Sequence, residues 1–535
     1  MRRLLLLPLA GLALACAPAA APRSDAPSYD LLITGGEILD GIGSPAYRGD
    51  VAVRGGRIVA VSRTTLPRSA AARIIEAGGL VVAPGFIDLH AHLDPLLRLP
   101  DAESAVRQGV TTAVGGPDGG GPYPFGAYLD SVEATGTGVN VAFLVGHNTI
   151  RRRVMGLADR EPTPDELERM RTMVARAMSE GAFGISTGLR YLPGTFASTE
   201  EVVALSRVAA DSGGIYTSHL REEGLGLFEG VGEAIRIARD AGIRVVLTHH
   251  KAVGPRMWGE SRRTIAMVDS ARAAGLDVRV DQYPYTATST SLSVLVPTWA
   301  LEGGDSAFAR RAADPALRDS IFRGIVFNLL NDRGGGDLRR VQFARVSWDR
   351  WLEGKTLHDW AVREGRPTTP ETGAELVIEA QLRGGGSGIY HVLDEQDVER
   401  IMRHPITSIA SDGRLSRPGE GMPHPRGYGT FPRVLGVYVR ERGVLTLPDA
   451  VRKMTSLPAA TLGLADRGRI AEGLVADLVV FDPATVADRA TFQDPHQYPM
   501  GIPWVVVNGR VSVEEGRFAG IRAGEVVRKR GGVAR

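Results

Sequence analysis

Short apolar runs alternate with longer amphipathic stretches through most of this chain, and that rhythm predicts its elements. Thr111–Val114, Val139–Val145, Phe183–Thr187, Ile215–His219, Arg244–Thr248, Asp277–Asp281 and Ile406–Ala410 read as strands. Between them lie helical patterns. Pro164 to Glu180 has Thr163 as N-cap, Pro164 at N1 and Glu166 closing a capping box. Another helix opens at Ser198 with Glu201 three residues on, one ends at Ala241, and one runs from Arg262 to Ala274. Ahead of these, Val81 to Asp94 reads VVAPGFIDLHAHLD: an apolar run, a Pro-Gly break and a second apolar run. With Phe86 to His92 as a first strand, one strand and one helix recur every ~35 residues. That spacing predicts an α/β fold built on a (β/α)8 TIM-type barrel.

The two ends of the chain carry a different pattern. Leu31–Ile33, Val51–Val53, Ile58–Val61 and Arg73–Ile75 are short β-type runs, with Gly55-Gly56 as a hairpin signal. Asp477–Phe481 matches them at the far end, and WVVVNGRVSV from Trp504 to Val513 reads as a hairpin turning at Asn508-Gly509. Both ends are expected to pair into one small β-sandwich, residues 29–83 and 468–535, flanking a barrel over 84–467. The stretch from about 291 to 385 is too long for a loop and is expected to be an insertion on the catalytic rim, a candidate lid.

Composition changes this picture little. A formal charge of +2 over 535 residues does not suggest a nucleic-acid partner, and the basic tail Arg528, Lys529, Arg530 reads as a solvated end. The N-terminus matters more. Arg2 and Arg3 precede an apolar run from Leu4 to Ala15, the anatomy of an export signal over residues 1–21 and too short for a spanning helix. The single cysteine, Cys16, follows Ala13-Leu14-Ala15, which resembles a bacterial lipobox. The expectation is an exported, periplasmic or cell-envelope protein, lipid-anchored through Cys16, with ordinary cleavage within Ala15 to Ala21 as the alternative. With Cys16 the single cysteine, the mature chain has no internal disulfide either way, so packing alone must hold the fold.

The candidate chemistry stands at predicted strand ends, where such barrels build their sites. Residues two apart on a strand share a face, so Asp88, His90 and His92 are expected to point the same way. The second strand runs into Gly-Gly-Pro-Asp118. The fifth ends at His219, the sixth at His249, His250 and Lys251, and the eighth at Asp412. Imidazoles and carboxylates converging there suit a zinc-type site.

These residues sit in motifs that resemble the amidohydrolase superfamily, and within it the N-acyl-D-amino-acid deacylases, over about Tyr29 to Gly520. The marks are PGFIDLHAH at 84–92, QGVTT at 108–112, GHNTIR at 146–151, GISTGLRYLPG at 184–194, YTSHLREE at 216–223, THHK at 248–251, DQYPYTA at 281–287, SDG at 411–413, HPRGYGTFPRVL at 424–435, KMTSLPA at 453–459 and GLVADLVVFDP at 473–483. The resemblance implies zinc held through His90, His92, His219 and His249, with Asp412 beside it. His249 is chosen over His250 because it directly follows the strand. Lys251 and Tyr283 are implied as grips for a substrate carboxylate, with Tyr191 and Arg426 as further contacts. His147 and His424 are placed near the rim. The chain departs from the family at Pro117-Asp118-Gly119, where the deacylases carry Asn-Cys-Gly with a zinc-binding cysteine. Asp118 can ligate, bridge or point away, so the count of one or two zinc ions stays open. No lysine ends the fourth strand, where relatives place a carbamylated bridge, and Arg190 is the nearest cation.

The implied reaction is hydrolysis of an N-acyl-D-amino acid to a carboxylate and a free amino acid, with Asp412 as general base. A dipeptidase or cyclic-amide hydrolase on the same scaffold is the alternative that Asp118 suggests. A catalytically dead binding protein of the envelope has no use for Asp412. The acyl group, the amino acid and the oligomeric state are not legible.

Overall fold

The computed structural model describes residues 28–529. The expected export signal and Cys16 lie outside the described residues, as does Arg530. No helix among the described residues is long and apolar enough to cross a membrane. The fold is mixed α/β.

Both chain ends meet in one nine-stranded sheet. Leu31–Ile38, Tyr47–Arg54 and Arg57–Ser62 form an antiparallel meander. Val81–Pro84 lies parallel to the first of these and antiparallel to Leu478–Phe481, which continues through Trp504–Val507 and Arg510–Glu514. The last hairpin turns at Asn508 and Gly509, whose φ angles of 48° and 77° are those of a type I′ turn. Alternate residues along the strands, among them Leu31, Ile33, Val51, Val53, Leu478 and Val480, bury one face.

The middle of the chain makes parallel strands. Phe86–Asp88 lies beside Val110–Gly115, and that beside Asn140–Phe143. The chain passes Leu144 into Val145–Gly146, next to Gly184–Gly188, Ile215–His219, Arg244–Leu247, Val278–Gln282 and Thr407–Ile409 in turn. Gly413–Arg414 then pairs with Ala91–His92. Every residue of Ile215–His219 is buried, as befits parallel strands covered on both sides. The covering helices include Pro164–Ser179, whose capping box is formed as expected, and Thr199–Asp211, where Ser198 accepts from Glu201 N.

Three expectations need correction. The strand expected over Phe86 to His92 breaks at Leu89–His90, because its two halves bond to different neighbours. Asp88 accordingly accepts from Ser411 N and Oγ and from His90 N, and does not join the histidines. The tail is not a free solvated end. Residues 525–527 bond alongside Val141, and Arg528 pairs with Asp130 and Glu133. The third concerns His147, which does not reach the rim. It is fully buried and faces Glu201 at 2.8 Å.

The expected insertion is a folded lobe. Helices Asp305–Ala313, Pro315–Asn331, Leu357–Arg363 and Pro370–Leu382 enclose a core of Phe308, Ile325, Leu329, Phe343 and Trp360. Thr288–Ser291, Ser387–Tyr390 and Val341–Arg345 form a three-stranded antiparallel sheet that turns toward the strand ends.

Candidate metal centre

Six side chains from five strand ends converge at the base of a cavity of about 490 Å³. His90, His92, Asp118 and Asp412 form one group whose ligand atoms lie within 4.8 Å of one another; Asp118, His219 and His249 form a second. Asp118 belongs to both. Its Oδ1 is 3.5 Å from His90 Nε2 and 3.5 Å from His249 Nε2, and its Oδ2 is 3.6 Å from His92 Nε2 and 3.8 Å from His219 Nδ1. His219 Nδ1 and His249 Nε2 face each other at 2.8 Å. His250 points away, with Nε2 on Thr264 Oγ1 at 2.8 Å, and burial holds its pKa down at about 4.

The backbone is bent to bring these groups in. Asp118, His249 and Asp412 have φ angles of 53°, 36° and 49°, in the left-handed region that L-residues seldom enter. His249 N donates to Asp281 Oδ1 at 2.5 Å and Asp412 N to His90 O at 2.8 Å. Gly119 follows Asp118 with φ 75°, and a Cβ there would stand 2.0 Å from Asn148 Oδ1, so the turn needs glycine.

Asp412 Oδ1 is 3.0 Å from His92 Nε2, and its Oδ2 pairs with Arg426 Nη1 at 2.7 Å. Burial alone would raise its pKa, but Arg426 and the histidines outweigh burial and hold its carboxyl well below the usual range. His90 Nε2 and Asp118 Oδ1 are buried, with no hydrogen-bond partner among the described residues. Buried donors and acceptors left this way are rare in folded proteins, and here they aim at one another across 3.5 Å. Imidazole nitrogens with carboxylate oxygens are the donor set that zinc takes, so these residues fit that ion.

Around the centre, Tyr283, Lys251, Tyr191 and Arg426 all line the cavity. The Tyr283 hydroxyl is buried and has no partner among the described residues. Lys251 Nζ is engaged by Glu223 Oε1 at 2.5 Å, His249 Nδ1 at 2.7 Å and His249 O at 2.8 Å. Tyr191 accepts from Thr290 Oγ1 at 2.9 Å and stands 3.4 Å from His219 Nδ1. His424 lines the wall; its Nε2 donates to Ala287 O and its Nδ1 accepts from Arg426 N. Arg190 turns outward to Glu222 and Asp332. Two residues escaped sequence reasoning. Glu223 ends the quoted motif YTSHLREE but follows a second glutamate, and nothing distinguishes the two in sequence. Arg333 comes from the insertion, where no motif marks it.

The model of an amidohydrolase family matches residues 73–303 and 371–513. A D-aminoacylase of Alcaligenes xylosoxydans xylosoxydans is 39% identical over 94% of this chain and 99% of its own length. An N-acyl-D-glutamate deacylase of the same organism is 38% identical over 90% of this chain and 93% of its own. The crystal structure of N-acyl-D-glutamate deacylase from Bordetella bronchiseptica, complexed with zinc and a phosphonate mimic of the tetrahedral intermediate, superposes with a TM-score of 0.80. It is 36% identical, covering 94% of this chain and all of that one. With the match running through both halves of the donor set and both chain ends, this chain belongs to the amidohydrolase family.

Proposed function

We propose that this protein is a zinc-dependent deacylase that hydrolyses the amide bond of N-acyl-D-amino acids to a carboxylate and a free amino acid. The observation that carries this reading is the pair of donor sets sharing Asp118, with the Asp412 anion beside them, at the base of a cavity wide enough for a small amide. The relatives named above act on such substrates, and one was crystallised with zinc, which supports the reading.

His90, His92 and Asp412 would hold one ion and His219 and His249 a second, with Asp118 common to both. Zinc supplies a Lewis acid that polarises the amide carbonyl and makes water nucleophilic near pH 7. Asp412, kept ionised by Arg426, accepts the proton of the attacking water and returns it to the departing nitrogen as the C–N bond breaks. Tyr283 offers a free donor for the substrate carboxylate, with Lys251 and Arg426 supplying positive charge 5.7 and 4.8 Å from its ring centre. Tyr191 closes the side next to His219. The acyl and side-chain pockets fall between Thr288–Ser291 and Arg345 of the insertion lobe.

The same reading extends to the architecture. The return of Gly413–Arg414 to Ala91–His92 supports a closed (β/α)8 barrel over 84–467, with the lobe at about 291–385 as its rim insertion. Hydrogen bonds from Ile58 N to Leu474 O and from Gly473 N to Ile58 O support a sheet of residues 29–83 and 468–535 curled into a small sandwich. Export rests on residues 1–21 of the sequence alone.

The test is turnover of zinc-supplied protein on paired N-acetyl-D- and N-acetyl-L-amino acids. Amine release from the D set alone is expected. Release from neither, with zinc bound, would remove the deacylase reading and direct attention to dipeptides and cyclic amides.

A further inference from the structure

Glu223 stands directly behind the His219–His249 pair. It is 3% exposed, and no part of the reaction written above uses it. Its Oε1 lies 3.2 Å from His249 Nδ1 and its Oε2 lies 3.6 Å from His219 Nε2. Those are the outer nitrogens of the two rings. The inner ones, His249 Nε2 and His219 Nδ1, face Asp118. One carboxylate therefore backs two imidazoles that enter the centre through chemically different nitrogens.

A neutral imidazole carries one N–H, and only the other nitrogen has a lone pair to give a metal. For both rings to present lone pairs to Asp118's side, His249 must carry its proton on Nδ1 and His219 on Nε2. Each of these N–H groups then needs an acceptor: Glu223 Oε1 is the carboxylate oxygen beside His249 Nδ1, and Oε2, at 3.6 Å, is a small shift from hydrogen-bond reach of His219 Nε2, which has no partner among the described residues. A competitor is present: Lys251 Nζ lies 2.7 Å from His249 Nδ1, and a donor from Lys251 would select the opposite tautomer. Glu223 Oε1, 2.5 Å from the same ammonium, competes with Nδ1 for its protons. Arg333 Nη2, 3.5 Å from Oε2, fixes the carboxylate from the other side.

We infer that Glu223 is the positioning residue of the second half of the centre, setting the tautomers of His219 and His249 together so that Nδ1 of one and Nε2 of the other are free for the metal. This rests on the metal reading proposed above. It also gives the insertion lobe a task at the metal, since Arg333 steadies Glu223 from a segment remote in sequence.

Partners of ligating histidines are worth about 10–100-fold in metal affinity. In Glu223→Gln, which keeps the shape and loses the charge, zinc affinity measured by competition with a chromophoric chelator is expected to fall by that factor for an ion that wild type retains. Far-ultraviolet circular dichroism should stay unchanged. Should the variant not fold, wild type decides by itself: 15N-histidine spectra of the zinc-loaded protein are expected to show His219 bound through Nδ1 and His249 through Nε2. Wild-type zinc affinity in Glu223→Gln, or the opposite nitrogens bound, overturns the inference while leaving the deacylase reading intact. Wild type that takes up no zinc overturns both.

Discussion

Asp412 is asked to be an anion, a neighbour of two histidines and a residue at φ 49° all at once. Asparagine enters the left-handed region readily, so Asp412→Asn changes the charge with little backbone penalty. It is expected to fold, to keep at least part of the bound zinc, and to lose turnover by about 10²–10⁴-fold, the usual worth of a positioned general base. Kinetics with metal analysis on one preparation checks this, and full activity would remove Asp412 from the reaction. The same reasoning applies to Asp118, at φ 53°. Asp118→Asn removes the one anion common to both donor groups, and zinc content after dialysis is expected to fall below that of wild type. Equal content would show that the carboxylate is not shared. At this scale the residue types were legible, because His and Asp end the predicted strands. Their backbone angles were not, since nothing in Asp118, His249 or Asp412 marks a left-handed residue. Glu223 was visible as a letter and silent as a role, because its meaning lies in two rings on separate strands.

Among the elements, the closing hairpin shows how a short signal gathers distant parts. Asn508 turns the chain, donates through Nδ2 to Asn140 Oδ1 at 2.7 Å and to Ala523 O at 2.8 Å, and gives its backbone N–H to Asp477 Oδ1 at 2.8 Å. Asn508→Ala keeps the backbone bond, leaves Asn140 Oδ1 with Glu525 N as its remaining donor, strands the Ala523 carbonyl, and puts alanine at φ 48°. The cost is expected to be about 2–4 kcal/mol, read as a lowered urea midpoint with an unchanged slope. The helix Leu447–Met454 makes a second point. Its Lys453 is fully buried, with Nζ on the carbonyls of His404 and Thr407 at the start of the eighth parallel strand. Burial pushes its pKa down to about 8, from an ordinary value near 10.5. Between those values the unfolded chain binds the extra proton, so stability rises with pH there and is level below about 8. The gain is at most about 3 kcal/mol. Urea titrations at pH 7.5 and 10 are expected to show it in wild type and not in Lys453→Met. Strand and helix positions were readable because period and capping residues are local. The break at Leu89–His90 was not, because it depends on which neighbour each half bonds.

For the whole molecule, alternation in the middle and matching β-runs at the ends were enough to anticipate a mixed α/β fold whose ends meet. The lobe over about 291–385 could be located but not described, since apolar residues ring its longest helix: Ile321, Ile325 and Leu329 are buried while Phe327 and Leu330 are exposed, and the sequence does not show which face packs. What the meeting of the ends entails is a matter of time. Arg57 donates to the carbonyl of Gly473, 416 residues further on, and Arg73 pairs with Glu514, 441 residues further on. At about 5–20 residues per second of synthesis, the first meander waits on the order of 20–80 s for the strands that complete it. Through that interval Val81–Pro84 shows an apolar edge whose native partner, Leu478–Phe481, does not yet exist. Contacts so remote also make folding slow. The newborn chain therefore carries an unpaired apolar strand edge for most of its synthesis, and wrong strand partners compete for it long before the metal centre can form.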